Sequence, residues 1–106
     1  MNYIKLLTDF TETPGGRYIS DGPFSGELFR ETILYPKLKK TLEEGGILIV
    51  DMDGTYGLCP GFLDEAFGGL ARVKKLDPLL ILKSIQIISN EEESYIHDIQ
   101  KYIERR

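Results

Sequence analysis

Residues 46–70 read GILIVDMDGTYGLCPGFLDEAFGGL: an apolar run, a glycine-containing turn and an amphipathic segment. Ile47, Leu48, Ile49 and Val50 lack the polar alternation of a half-exposed strand, so they predict a central strand covered on both faces. Asp51 and Asp53 fall at its carboxyl end, where open α/β sheets receive ligands and partners. Over residues 62–73, Phe62, Ala66, Phe67 and Leu70 recur at helical spacing. Asp64 and Glu65 sit near the start of that helix, where its dipole favours anions. Gly68 and Gly69 inside it each cost roughly 1 kcal/mol against alanine. They imply close packing onto a neighbour or a face left bare for a partner.

On the amino-terminal side, Tyr3 to Leu7 predicts a strand, and Arg17-Tyr18-Ile19 a second one, paired with it as a hairpin across Thr13-Pro14-Gly15-Gly16. Ser25 is the expected N-cap of a helix over 27–44, with Glu27 and Glu31 favouring its positive end. Leu28, Phe29, Ile33, Leu34, Leu38 and Leu42 supply its apolar side. Pro36 should kink or split it, because proline removes a ladder hydrogen bond. Gly45 and Gly46 stop it. On the carboxyl side, Asp77-Pro78 opens a short helix within 76–83 and residues 85–89 form a strand. Asn90 caps a last helix whose stripe is Tyr95, Ile96, Ile99, Tyr102 and Ile103. The expected fold class is α/β: a single domain, 1–106, with a small mixed, mostly parallel β-sheet of about four strands and helices packed on it.

The net charge of −4 offers no basic field for nucleic acid. Lys37, Lys39 and Lys40 are answered by Glu43 and Glu44 on the same helix. One cysteine, Cys59, and one histidine, His97, rule out an intrachain disulfide and a four-ligand zinc site, so no metal or cofactor is expected. Cys59 beside Pro60 at a helix start fits either a low-pKa thiol or a packed, unreactive one, and with no base near it in sequence the second is expected; His97 reads as solvated. The segment MNYIKLLTDF is too short and too charged for a signal-peptide core, and no run is long enough to span a membrane. The expectation is a soluble, cytoplasmic protein with neither nucleic-acid nor membrane partners.

Two resemblances meet in the central segment. Asp51-Met52-Asp53-Gly54-Thr55 after an apolar strand resembles the opening motif of haloacid-dehalogenase-type phosphatases. That implies Asp51 as nucleophile, Asp53 as acid and base, and Mg²⁺ shared between them. The same family needs a downstream Lys and an acidic pair at a further strand end, whereas only one strand follows here and Glu91-Glu92-Glu93 begin a helix. The second resemblance spans nearly the whole chain. Arg17, then DGPFSGELFR over residues 21–30 with Gly22, Ser25, Gly26 and Arg30, then Asp51 and Asp53, then FLDEAFGGL over residues 62–70 with Phe62, Phe67 and Gly69, resemble the bacterial STAS-like domains of unknown function.

This second resemblance implies a small sheet with helices on one face, used as a regulatory protein-interaction module without catalysis. By analogy with anti-sigma-factor antagonists, the implied partner is a histidine-kinase-type ATPase or similar regulator, and a homodimer is compatible with it. Those antagonists carry a phosphorylated serine at a helix start where this chain has Cys59, Pro60 and Gly61, so the switch itself is not expected. The expected contact surface is the loop Thr55 to Gly61, including Leu58, Cys59 and Pro60, with the exposed face of the next helix through Asp64, Glu65 and Gly68. Arg17 and Arg30 are expected to pair with Asp51, Asp53 or Glu65. A nucleotide-binding regulatory module is a further alternative.

Overall fold

The computed structural model describes residues 2–105. Its sheet has three strands, β1 (Asn2–Lys5), β2 (Leu48–Asp51) and β3 (Ile85–Ile88), in the order β1-β2-β3 with both pairings parallel. Four helices follow the strands: α1 over 26–44, α2 over 60–72, α3 (Pro78–Ser84) and α4 (Ser94–Glu104).

Because the strands are laid down in one direction, right-handed crossovers place the connecting helices on the same face. Burial follows the register. Ile4, Leu48 and Val50 are fully buried, whereas Tyr3 and Gln86, in the row of Ile49, are exposed. β2 is therefore covered on one face only, not on both. Its apolar run looked two-sided because Ile49 lies half-buried on the open face beside Tyr3.

The expected hairpin does not form, and the sheet is parallel rather than mixed. The Asp21 carboxylate accepts the amides of Arg17 and Tyr18 at 3.2 and 2.8 Å, so these donors are satisfied locally and Ile19–Asp21 winds a 3-10 turn. β1 stops at Lys5 because Leu6–Asp9 makes a helical turn, with Asp9 accepting the Lys5 amide at 2.8 Å.

Pro36 does not split α1 into separate helices. A wide π-turn, Arg30–Leu34, lies directly before it, and the backbone remains right-handed helical through Arg30 and Tyr35. Such a turn accommodates the hydrogen bond that proline cannot donate. Ser25 caps α1 through its hydroxyl, which accepts the Leu28 amide at 3.1 Å, and Gly45 ends it in the left-handed region at φ 71°. Asp77 likewise caps α3, accepting the Leu79 amide.

α2 carries its own π-turn, Asp64–Gly68, and is buried from Phe62 to Ala71, with α1 and α4 against it. Phe29 packs on Phe62 and Phe67 at ring-centroid distances of 5.9 and 6.4 Å, and Phe10 closes over Phe29 at 5.2 Å. The α2 glycines answer to packing. A Cβ at Gly68 would meet the Tyr102 carbonyl at 2.9 Å, and one at Gly69 would collide with the Arg30 guanidinium. Gly26 gives the matching approach from α1, against the Phe62 carbonyl. No helix among the described residues is long and apolar enough to cross a membrane.

Candidate functional site

Parallel pairing brings every strand's carboxyl end to one edge, where Lys5, Asp51 and Ile88 stand in register. The connections over 10–24, 52–59 and 89–93 leave from this edge, and α1 and α2 begin there, with Ser25 and Cys59 at their N-cap positions. The 52–59 loop turns on Gly54 and Gly57, at φ 90° and 60°, conformations that side chains disfavour. Thr55 donates its hydroxyl to the Met52 carbonyl at 2.9 Å, and the Tyr56 amide donates to the Glu12 carbonyl at 2.8 Å. Leu58 turns inward, while Tyr56 projects outward, 71% exposed. Tyr18, Ile19 and Phe24 on the 10–24 connection are exposed as well.

The two aspartates of the phosphatase-like motif diverge. Asp51 accepts the Tyr3 hydroxyl at 2.7 Å, Lys5 Nζ at 3.3 Å and the Asp53 amide at 3.0 Å. Burial pushes its carboxyl up, but these donors outweigh that and hold it below the usual range. Asp53 accepts the Asn90 amide at 2.8 Å, Asn90 Nδ2 at 3.1 Å and the Glu91 amide at 3.0 Å. Glu91 in turn accepts the Gly54 amide, so two loops are latched together. Asn90 is consumed by this latch and does not cap α4, which starts only at Ser94. Among the described residues, no three His, Cys, Asp or Glu side chains are grouped to hold a metal ion.

Cys59 is half-buried. Burial raises its thiol, but backbone donors at Phe62, Gly16, Cys59 itself and Gly61 outweigh burial and hold it below its ordinary value. His97 is exposed, as read.

Asp64, Glu65 and Gly68, expected on an exposed helix face, lie inside instead. Arg17 Nη1 meets Asp64 at 2.8 Å and Glu65 at 3.6 Å. Arg30 donates to the Glu65 carboxylate at 2.8 Å and to its carbonyl at 2.6 Å, while its Nε holds Glu31 at 2.8 Å. Arg72 contacts Asp64 at 2.9 Å and Arg105 does so at 2.7 Å. These charges neutralise arginines arriving from four parts of the chain, which is why they are covered. The carbonyls of Asp64 and Glu65, at the start of the π-turn, accept from Arg72 and Arg30 respectively.

Of the expected pairings, Arg17 and Arg30 do reach Glu65, but neither reaches Asp51 or Asp53. Sequence reasoning missed Tyr3, Tyr56, Glu91, Arg72 and Arg105. Arg72 was findable, since it follows Asp64 by two helical turns. Arg105 carries no local signal, because its partner is 41 residues away.

A family model described as a STAS-like domain of unknown function matches residues 25–95, more than half of the chain. Comparison with curated proteins and with solved structures gave no match.

Proposed function

Because the chain belongs to the STAS-like domain family, we propose that it is a regulatory protein-binding module whose contact surface is the loop Thr55 to Gly61. The observation that carries this reading is Tyr56. The residue is 71% exposed, on a loop braced by the Thr55 hydroxyl on the Met52 carbonyl and by its own amide on the Glu12 carbonyl. An aromatic side chain held on a braced loop offers large contact area at low entropic cost, the property of interface hot spots. Thr55, Cys59, Pro60 and Gly61 border it, while Leu58 anchors the loop from below.

Family analogy names the partner as an ATPase of the histidine-kinase type or a similar regulator. The buried Asp64, Glu65 and Gly68 support the surface from behind rather than touch the partner. The internal bonds of Asp51 and Asp53 favour binding over phosphoryl transfer. The test is titration with the purified ATPase encoded beside this gene. Tyr56→Ala should weaken the complex about tenfold, or about 1.4 kcal/mol, and Gly61→Trp should do so as well. Lys39→Ala, an exposed change on α1, should leave the affinity unchanged. Equal affinities for all three variants would remove the proposed surface.

A further inference from the structure

The two edges of the sheet are finished differently. On the outer side of β1 the Lys5 amide is taken by the Asp9 carboxylate at 2.8 Å, and Lys5 itself puts a charge there. A lysine and a turn laid against the strand end both discourage further pairing. β3, the opposite edge, reads Ile85-Gln86-Ile87-Ile88, without a charge or a proline.

The ladder fixes where the backbone groups of β3 point. The Met52 amide donates to the Ile88 carbonyl at 2.8 Å, so Ile88 turns its backbone toward β2. Alternation along the strand then turns the amide and carbonyl of Ile87 outward, together with the carbonyl of Ile85. The Ile85 amide is already spent on the Ile81 carbonyl at the end of α3. Among the described residues, no backbone or side-chain group beyond the sheet bonds to Ile87. Beside this edge runs a cleft of about 240 Å³ between β3, α3 and α4. Leu82, Ile85, Ile87, Ile96 and Ile99 line it, Gln86 and Gln100 supply its polar lining, and no charged residue borders it.

Charge selects the occupant. Lys83 stands just before the strand and Glu91, Glu92 and Glu93 just after it, all with exposed side chains. A second copy of β3 laid antiparallel brings the basic end of each strand to the acidic end of the other, twice about a twofold axis. A parallel neighbour would set like ends together. With Ile87 opposite its counterpart on the axis, the two residues exchange both hydrogen bonds, as in a hydrogen-bonded antiparallel pair. Lys83 lies four residues before Ile87 and Glu91 four after it, so the register that satisfies the backbone also brings these charges together.

We propose that β3 is a self-association edge: two copies of the chain pair antiparallel through Ile85–Ile88, centred on Ile87. Two three-stranded sheets become one continuous sheet, and the apolar clefts meet across the axis. The pairing does not rest on the Tyr56 surface.

Sedimentation of the purified chain from micromolar to millimolar concentration is the test, with amide hydrogen exchange followed by NMR on the same samples. The mass should rise toward that of two chains, and the Ile87 amide should exchange more slowly as it does. Gln86→Lys, a change at an exposed side chain, sets two lysines diagonally across the axis and should weaken the dimer about fivefold. Lys83→Glu and Glu91→Lys should each weaken it, and mixing the two variants should restore it, because the mixed dimer opposes unlike charges at both ends. Glu91 also accepts the Gly54 amide, so restoration on mixing, which a folding defect would not give, is the deciding readout. A chain that stays monomeric throughout, a dimer that leaves Ile87 exchange unchanged, or a mixture no better than its components would overturn the proposal. Slowed Ile87 exchange on adding an extended peptide to a chain that stays monomeric would overturn it too, and would give the edge to a strand of another protein.

Discussion

Glu65 and Arg30 meet where almost no water reaches, and without Glu65 the buried Arg30 charge keeps only the half-exposed Glu31 as a partner. Glu65→Gln should therefore cost about 3 kcal/mol in urea-denaturation stability. A near-neutral change would mean that the pair relaxes toward solvent. Asp51 is also a structural acceptor, so Asp51→Asn should cost about 1 kcal/mol through its lost charge-assisted hydrogen bonds. Neither the parent chain nor that variant should hydrolyse p-nitrophenyl phosphate with Mg²⁺, and turnover abolished by Asp51→Asn would restore the phosphatase reading.

Asp64 shares the direction of Asp51. Burial raises its carboxyl, but hydrogen bonds from Arg17 and Arg72 and the charges of Arg72 and Arg105 outweigh burial and hold it low. A depressed folded-state value means that its stabilisation is complete above the unfolded value, near pH 4, and is lost as the pH falls through the folded one. Acid unfolding followed by circular dichroism should be steep below about pH 4 in the parent and shallower in Asp64→Asn. Ser25, Gly45 and Asp77 were legible in the sequence because a cap is decided within a few residues. The partners of Asp64 were not, since they converge from positions 17, 72 and 105.

At the scale of elements, α1 and α2 approach so closely that the Gly26 position abuts the Phe62 carbonyl, with the Ala66 amide 3.2 Å from where a Cβ would be. Gly26→Ala must push two helix backbones apart and should cost 2 kcal/mol or more, in the range of overpacked cores. Gly45→Ala meets no atom within 4 Å and carries only the left-handed backbone penalty, about 1 kcal/mol. Comparable losses for the two variants would contradict the close helix contact. Helix existence was readable from apolar spacing, and the π-turns were not, because they answer to Pro36 in one helix and coincide with tertiary arginine contacts in the other. The missing hairpin has the same origin, since a single carboxylate, Asp21, captured the amides that a strand would have used.

For the whole molecule, strand order sets which surfaces are covered and which are open. Three parallel strands laid side by side put the helices on one face, leave Tyr3 and Gln86 exposed on the other, and gather the loops at one edge. The α/β class and the central strand were legible from residues 46–70. The count of strands and the bare face were not, because pairing partners are chosen by tertiary contacts. That same stretch also carried both functional readings, and burial divides it: its helix is internal, and its loop, led by Tyr56, meets solvent. The most direct measurement is a backbone NMR titration of the labelled protein with the neighbouring ATPase. The account predicts shifts concentrated at Thr55, Tyr56, Cys59 and Gly61 and a complex weakened about tenfold by Tyr56→Ala. Binding that leaves those signals unmoved, or no binding at all, would contradict it.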